Sequence, residues 1–470
     1  MDGASRSVLL KAFALALGGL REAMLVAACG FALSGLDDLF VDAVYWMRRL
    51  ARAAAVRPRH ARMTADAMGS AEPGWFAVFV PAWDESDVIA TMLRGLLASY
   101  AYARYRVFVG CYPNDAATLA AVADVQDTRI ERVITTRAGP TTKADCLNHL
   151  WRAALAHEAR TGVRFKGVVL HDAEDVVHGL ELRVFDHLIG RFALVQLPVV
   201  PIPDPDSRWI AGHYLDEFAE SHGKDVTVRE ALGAAVPSAG VACAIARDHL
   251  ALLGERDGGR PFDPACFTED YELGLRIKRN GGHGALVRVR DAAGVLVATR
   301  EHFPHTLGTA VRQKSRWMLG IALDGWDRLG WAGDGADQYM LWRDRKPLFT
   351  APLLILAYGV MLGSLATRAA MALWPDARAL GPIAPEGGVL AALLVLNAGM
   401  LGWRLAMRCL FTACEHGWRE GVRSVPRVMV ANVVNTLATA RALKRYLDIA
   451  RGRRAATWEK TAHRIPGQAG

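Results

Sequence analysis

Several short clusters in this chain combine residue types that do chemistry together. The segment His171-Asp172-Ala173-Glu174-Asp175 places three acids within four residues, directly after the apolar run Gly167 to Leu170. Acids at the end of a buried strand are costly unless they hold a cation or face water. Paired carboxylates of this kind suit Mg2+ or Mn2+ held together with substrate phosphates, and Asp172, Glu174 and Asp175 are the candidate ligands. Strand alternation would put Asp172 and Glu174 on one side and Asp175 on the other. The competing reading is an acidic helix start, which needs no metal. His171 and His178 could be proposed as ligands too, but isolated histidines beside a loop are more often unliganded.

Further on, Thr268-Glu269-Asp270 opens an amphipathic stretch in which Asp270 could be a general base or only a first-turn carboxylate. Gln313, Arg316 and Trp317 follow at i, i+3 and i+4, on one helical face. An amide, a phosphate-matching fork and a flat apolar surface suit a sugar diphosphate or a sugar ring. A buried Trp beside a surface Arg is the plainer alternative. Near the other end, Pro81-Ala82-Trp83-Asp84-Glu85 closes an apolar run, so that Glu85 stands at a strand mouth just before a helix.

These clusters need a sheet to position them. Between about Pro73 and Trp331, short apolar runs alternate with helical stretches, the pattern of a parallel sheet with helices on its faces. Strands are expected at Phe76–Pro81, Val107–Cys111, Arg132–Thr135 and Gly167–His171, and helices at Asp87–Tyr100, Ala116–Asp127 and Ala144–Ala159. Ligands bind beyond the carboxyl ends of the strands in such sheets, which is where the acids fall.

Outside that region the chain looks membranous. Hydrophobic residues make up 52% and charged residues 22% of the 470, too apolar for disorder and high for a purely soluble chain. Uncharged stretches at Pro347–Thr367 and Gly387–Trp403, the latter extending to Phe411 if Arg404 and Arg408 snorkel, are long enough to span. Val8–Leu36 reads as a third span; a signal peptide at Ala12–Leu20 does not explain the apolar run beyond Arg21 and Glu22. Arginines at 48 to 62, and Arg343, Arg345 and Lys346, put both flanks of the middle region in the cytoplasm. The basic cluster Arg441, Lys444, Arg445, Arg451, Arg453 and Arg454 returns the C-terminal part to that side. Val428–Ala440, only 13 residues, fits an interfacial helix better than a span. The expected organisation is 1–71 membrane helix and basic segment, 72–335 catalytic domain, 336–415 two membrane helices, and 416–470 interfacial helix and basic tail. The net charge of +8 is absorbed by the membrane flanks, so nucleic acid is not needed as a partner. Seven scattered cysteines without a Cys-x-x-Cys pair argue against a disulfide framework or a zinc module.

Taken in order, PAWDE, TTKADCLN, HDAED, TED and QKSRW resemble the motif series of inverting family 2 glycosyltransferases, particularly membrane synthases related to cellulose and hyaluronan synthases. GCYPND, TTKADCLNHL, AAVPSAGVACAIAR and FTEDYELGLR are similar to the bacteriophage adsorption protein B group, inner-membrane members paired with an outer-membrane partner. The resemblance runs from about Ser34 to the C-terminal WEKTAHRIP. It implies an α/β GT-A (Rossmann-like) domain inserted between N- and C-terminal transmembrane helices of a bacterial inner-membrane protein, with the catalytic domain cytoplasmic. It implies a UDP-sugar donor, plausibly a UDP-N-acetylhexosamine, a growing glycan acceptor, and Mg2+ or Mn2+.

By the same resemblance Glu85, Asp115 and Lys143 would meet the nucleotide, and Asp172 and Glu174 the metal and diphosphate, with Asp175 the alternative ligand. Asp270, beside Glu269, would be the catalytic base. Gln313 and Arg316 would hold the diphosphate, and Trp317 with Ser238 and Gly240 of the loop Pro237–Ala244 the acceptor. Two departures stand out: the family's second-strand acidic pair is replaced by Cys111-Tyr112-Pro113-Asn114-Asp115, and Glu174 replaces the second Asp of DxD. Relatives continue into a C-terminal domain linked to cyclic di-GMP; the chain reads as stopping before one, so such control would come through a separate protein. The rival readings are a single-sugar transferase to polyprenyl phosphate, a non-enzymatic membrane component of a phage-adsorption or secretion complex, and a nucleotidyltransferase.

Overall fold

A computed structural model describes residues 3–70, 72–384 and 387–452. Arg453, Arg454 and the WEKTAHRIP stretch lie outside the described residues. Among the described residues nine strands form two sheets: β1 (Trp75–Pro81), β2 (Tyr105–Cys111), β3 (Ile130–Ile134), β4 (Phe165–Leu170), β5 (Leu194–Gln196), β6 (Val199–Pro201), β7 (Cys243–Ala246), β8 (Gly284–Leu286) and β9 (Thr299–Glu301). Seven make the main sheet in the order β3-β2-β1-β4-β7-β5-β8, and β6 pairs with β9 apart from it. Buried apolar side chains on both faces of β1, β2 and β4, Phe76, Val78 and Val80 on one and Ala77, Phe79 and Phe108 on the other, explain why these strands read as continuous runs.

The all-parallel expectation needs a correction. β7 runs antiparallel to β4 and β5, with Cys243 opposite Leu170. Its reversed direction places its start at the carboxyl end of β4. The loop Pro237–Ala242 that precedes it therefore arrives at the mouth of the sheet.

α1 (Gly3–Ala55) precedes the sheet domain, whose helices are α2 (Ile89–Ser99), α3 (Ala116–Ala123), α4 (Lys143–Thr161), α5 (Glu181–Leu188), α6 (Gly212–Glu220), α7 (Val226–Ala231), α8 (Arg247–Arg256), α9 (Glu269–Arg279), α10 (Leu307–Met318) and α11 (Gly325–Leu329). They are followed by α12 (Gly335–Arg345), α13 (Pro347–Leu373), α14 (Pro375–Arg378), α15 (Gly388–His416) and α16 (Trp418–Ala450). Wide i→i+5 turns at Ser221–Asp225 and Leu319–Asp324 extend α6 and α10. α4 shows how the ends are set. Thr142 accepts from the Asp145 N–H at 3.2 Å to cap its start, and Gly162 at φ +73° ends it.

Among the described residues, three helical stretches are long and apolar enough to cross a membrane: Arg6–Ala55, Gly335–Leu373 and Gly388–His416. Arg21, an outlier inside the first, donates to the carbonyls of Pro382 (2.6 Å), Leu380 and Ile383 (both 3.3 Å), in the turn that joins the other two. At the opposite end of the bundle Asp37 and Asp38 of α1 meet Arg343 and Lys346. Asp42 accepts from Lys224 at 2.6 Å and from the Trp403 indole at 2.8 Å.

The expected 13-residue interfacial segment is part of a continuous helix of 33 residues. A count of apolar residues stops at Arg427. In the fold that guanidinium is fully buried and neutralised by Asp216 and Glu420, each at 2.7 Å, so α16 continues through it. α16 packs against α10, α6, α13 and α15, joining the sheet domain to the apolar helices.

Candidate functional site

A cleft of about 550 Å3 opens where the carboxyl ends of β1 and β4, the start of β7, the N-terminus of α9 and one face of α10 converge. Its lining includes Trp83, Glu85, Lys143, Asp172, Glu174, Ser238, Glu269, Asp270, Glu301, Gln313, Arg316 and Trp317. Residues spread over more than 230 positions of sequence are thus brought to one wall-to-wall space.

The first wall follows β1. Asp84 sits at φ +55°, a left-handed conformation held by its N–H, which donates to Asp115 at 2.6 Å, while Glu85 N–H donates to Thr118 Oγ1 at 2.9 Å. Asp115 also caps α3 by accepting from Thr118 N–H. It is therefore spent on backbone donors and does not line the cleft. Its role is to hold the Glu85 loop. Asn114 of the departing CYPND segment bonds Gly139 in both directions, at 2.9 and 2.7 Å, and fixes the loop leading to Lys143.

Lys143 occupies the first position of α4, where the helix dipole disfavours a cation by about 0.3–1 kcal/mol. Its ammonium is held there by Asp172 Oδ1 at 2.5 Å and by the Gly240 carbonyl at 3.4 Å. Burial would lower its proton affinity; Asp172, Glu269 and Asp270 more than reverse this and raise it.

Beyond β4 the chain turns instead of continuing as a strand, with Asp175 N–H donating to Asp172 O at 3.3 Å. Asp172 and Glu174 face the cleft. Asp175 does not, and its assignment as a metal ligand is corrected: it is buried, and Oδ2 is engaged by the His171 ring at 2.7 Å and the Asp172 N–H at 3.2 Å. His171 is likewise buried, away from the cleft.

Glu269 and Asp270 form the first turn of α9, where Asp270 Oδ1 accepts from its neighbour's N–H at 2.7 Å. They are both first-turn carboxylates and cleft residues. Burial, then the Asp270 charge, pushes Glu269 up to about 7, and burial also raises Asp270 against the pull of Lys143. Gly240, at φ +78°, does not line the cleft. It lies directly behind Asp270, so close that a Cβ there would stand 2.6 Å from Oδ2. Ser238 does line it and accepts from Gly240 N–H at 3.0 Å.

Gln313, Arg316 and Trp317 share the cleft face of α10, whose start is fixed by a Thr306–Thr309 capping box. Trp317 meets Tyr214 and Phe218 edge-on at 6.2 and 6.3 Å, an aromatic floor completed by Phe303 stacked on Tyr214 at 4.7 Å. Gln313 Oε1 is buried without a partner inside the protein.

Sequence reasoning missed Glu301, at the end of β9. It joins the acidic wall because Arg300 exchanges backbone hydrogen bonds with Val176 at 3.0 and 2.8 Å, stitching β9 to the Asp172–Asp175 turn. Burial and the charges of Asp175, Glu174 and Asp172 hold its carboxyl well above the usual range. The aromatic and imidazole-rich context of EHFPH, just before the QKSRW helix, is the one local hint.

The cleft thus carries an excess of carboxylates over the cations Lys143 and Arg316, and burial raises several of them. An oxygen-only donor set with surplus negative charge fits a hard divalent cation. Among the described residues no group of three or more His, Cys, Asp or Glu is arranged as a complete cage. A cation here would take one or two carboxylates, Asp172 and Glu174, and complete its shell from a ligand's phosphates.

Residues 73–320, more than half of the chain, match the model of the glycosyltransferase like family 2, and the chain belongs to that family. It is 40% identical to bacteriophage adsorption protein B of Escherichia coli (strain K12) and to bacteriophage N4 adsorption protein B of Escherichia coli O157:H7, over 98% of this chain. The match covers 64% of those proteins, so the chain spans just under two thirds of the length of the curated relatives it matches. Among solved structures, a mannosyltransferase from Pyrobaculum calidifontis in complex with GDP-Man and Mn2+ shares the fold. Its TM-score is 0.51 at 17% identity, over 91% of this chain and 99% of that one.

Proposed function

We propose that this chain is a membrane-embedded inverting glycosyltransferase that draws a nucleoside diphosphate sugar, a UDP-sugar such as a UDP-N-acetylhexosamine, from the cytoplasm and extends a glycan. The observation that carries this reading is the placement of Asp270 on the same cleft as Lys143, Arg316 and Trp317, between an acidic turn and an aromatic floor. Asp270 takes the proton of the acceptor hydroxyl as its oxygen attacks the anomeric carbon opposite the leaving diphosphate. Arg316 and Lys143 stabilise the negative charge that grows on that diphosphate. Trp317, with Phe218 and Phe303, offers a flat surface to the acceptor sugar, and Ser238 a hydroxyl. Glu85 and Trp83 meet the nucleoside. Asp172 and Glu174 would hold a divalent cation, Mg2+ or Mn2+, which would supply further charge neutralisation at the diphosphate. The solved structure that shares the fold carries GDP-Man and Mn2+, which supports both groups of ligands.

The three apolar helices and the packing of α16 on α10 support product growth beside a bilayer, with secretion across it. On this reading the protein is a multi-pass inner-membrane enzyme whose cleft faces the cytoplasm, working with an outer-membrane receptor or secretin partner and open to cyclic di-GMP control. The QxxRW-type helix favours a polymerising synthase over a single-sugar polyprenyl-phosphate transferase.

The test is mass spectrometry of products made by purified membranes from a panel of UDP-sugars, with Asp270→Asn as control. Glycan plus free nucleoside diphosphate is expected from the native chain, and none from Asp270→Asn at near-native nucleotide affinity. Pyrophosphate release, or native turnover by Asp270→Asn, would overturn the mechanism.

A further inference from the structure

Beneath the acidic turn lies a chain of buried polar groups that the proposed reaction does not touch. His171, the first residue after β4, stands between two carboxylates. Its Nδ1 meets Asp175 Oδ2 at 2.7 Å and its Nε2 meets Glu181 Oε1 at 2.7 Å, and all three side chains are fully shielded from solvent. Glu181 opens α5, and the Tyr100 hydroxyl, at the end of α2, donates to the same Glu181 oxygen. A carboxylate oxygen thus stands at hydrogen-bond distance from each ring nitrogen, and the imidazole bridges the two.

The cleft-side end of this chain is specific. Asp175 Oδ2, besides holding the imidazole, accepts the backbone N–H of Asp172 at 3.2 Å. The outer side of the turn is pinned separately, by the Val176–Arg300 backbone pair. Apolar side chains would fill the same space at lower cost, because buried ionic groups seldom repay their desolvation in stability alone. What this arrangement delivers is a fixed conformation for the turn that carries Asp172 and Glu174.

We propose that His171, clamped between Asp175 and Glu181, is a positioning residue that sets the Asp172 and Glu174 carboxylates for a divalent cation bound with the donor diphosphate. The inference rests on the proposed function. Partners of this kind behind ligating carboxylates are typically worth about 10–100-fold in metal affinity.

The experiment uses the full chain in detergent and reads free Mn2+ by electron paramagnetic resonance during titration in the presence of UDP. Thermal midpoints and metal-free UDP affinity are measured alongside. His171→Gln, whose single amide cannot donate to both carboxylates in the same way, should weaken Mn2+ binding about 10–100-fold and leave metal-free UDP affinity within threefold. Its turnover should recover toward the native value as Mn2+ is raised, a rescue that a merely unfolded variant would not show. Should His171→Gln fail to fold, Asp175→Asn, which keeps the shape, carries the same expectation of at least about tenfold weaker Mn2+ binding. Native Mn2+ affinity in a folded His171→Gln or Asp175→Asn protein overturns the positioning role while leaving the proposed function intact. A native chain that takes up no Mn2+ with UDP overturns both.

Discussion

Substituting Gly240 tests how closely the cleft geometry is set. An added Cβ would stand 2.6 Å from Asp270 Oδ2 and 3.2 Å from its Cβ, whereas ordinary contact begins near 3.4 Å, so Gly240→Ala must displace that carboxylate by about 0.8 Å. The left-handed backbone at φ +78° adds about 1–2 kcal/mol of strain for alanine. If Asp270 is the base, a misplacement approaching 1 Å costs roughly 100-fold in kcat, about 2.7 kcal/mol of barrier. Donor KM should stay within a few fold, because the Glu85 wall is untouched. Gly233→Ala is the matched control. It has the same left-handed backbone, φ +79°, but nothing within 4 Å of the added Cβ. Both variants should lose a similar increment of thermal stability, and only Gly240→Ala should lose turnover. Rates would be read as nucleoside diphosphate release with saturating donor. Native kcat in Gly240→Ala, or an equal loss in Gly233→Ala, would refute the reasoning.

Three further outcomes are expected. Arg427→Met removes the 2.7 Å partner of the buried Asp216 carboxylate but leaves it Arg408 at 3.1 Å, so the joint between α16 and the sheet domain should lose less than the about 3–5 kcal/mol of a fully broken buried pair, read as a lowered thermal midpoint in detergent. Burial, with the Arg288 charge nearby, holds His222 down to about 4 against an ordinary 6.5, so between those values the unfolded chain takes a proton that the folded one refuses. Stability should therefore fall as pH drops from about 6.5 toward 4, and His222→Gln should flatten that slope in thermal midpoints measured across the range. A reporter fused near Gly330 should read as cytoplasmic and one near Pro382 as external; the reverse pattern excludes the use of cytosolic donor.

The strands β1, β2 and β4 were legible because each is an apolar run buried on both faces and bounded by turn residues, which needs no knowledge of partners. β7 was not, since four residues, Cys243–Ala246, carry no local mark of direction; only pairing with Leu170 and Gln196 reveals the reversal. Gln313, Arg316 and Trp317 could be placed on one face by helical spacing alone. Strand alternation already set Asp175 apart from Asp172 and Glu174, but only the fold shows what holds it out of the cleft, His171 behind it and Glu181 ten residues beyond that histidine. Glu301 was invisible for a related reason: its neighbours in the cleft lie more than a hundred residues earlier, joined through the Arg300–Val176 pair. The same holds for Asn432, Asn435 and Thr439 of α16, whose helical spacing would let all three face the sheet domain. Asn435 does so, accepting from Lys314 of α10 at 3.0 Å, but Asn432 donates to Tyr358 of α13 at 3.3 Å and the Thr439 hydroxyl returns to its own helix.

The first helix is a single rod of 53 residues, about 80 Å at ~1.5 Å per residue, against a hydrocarbon layer of about 30 Å. Asp42 on that rod grips Lys224, and Lys224 lies two residues beyond His222 in the cleft wall. Long spanning helices adapt to a thinner or thicker bilayer by tilting. In this protein a buried ion pair, Asp42 with Lys224, ties that rod to a segment of the cleft wall. If α1 spans a bilayer as proposed, its tilt and that part of the cleft wall are mechanically joined through this pair.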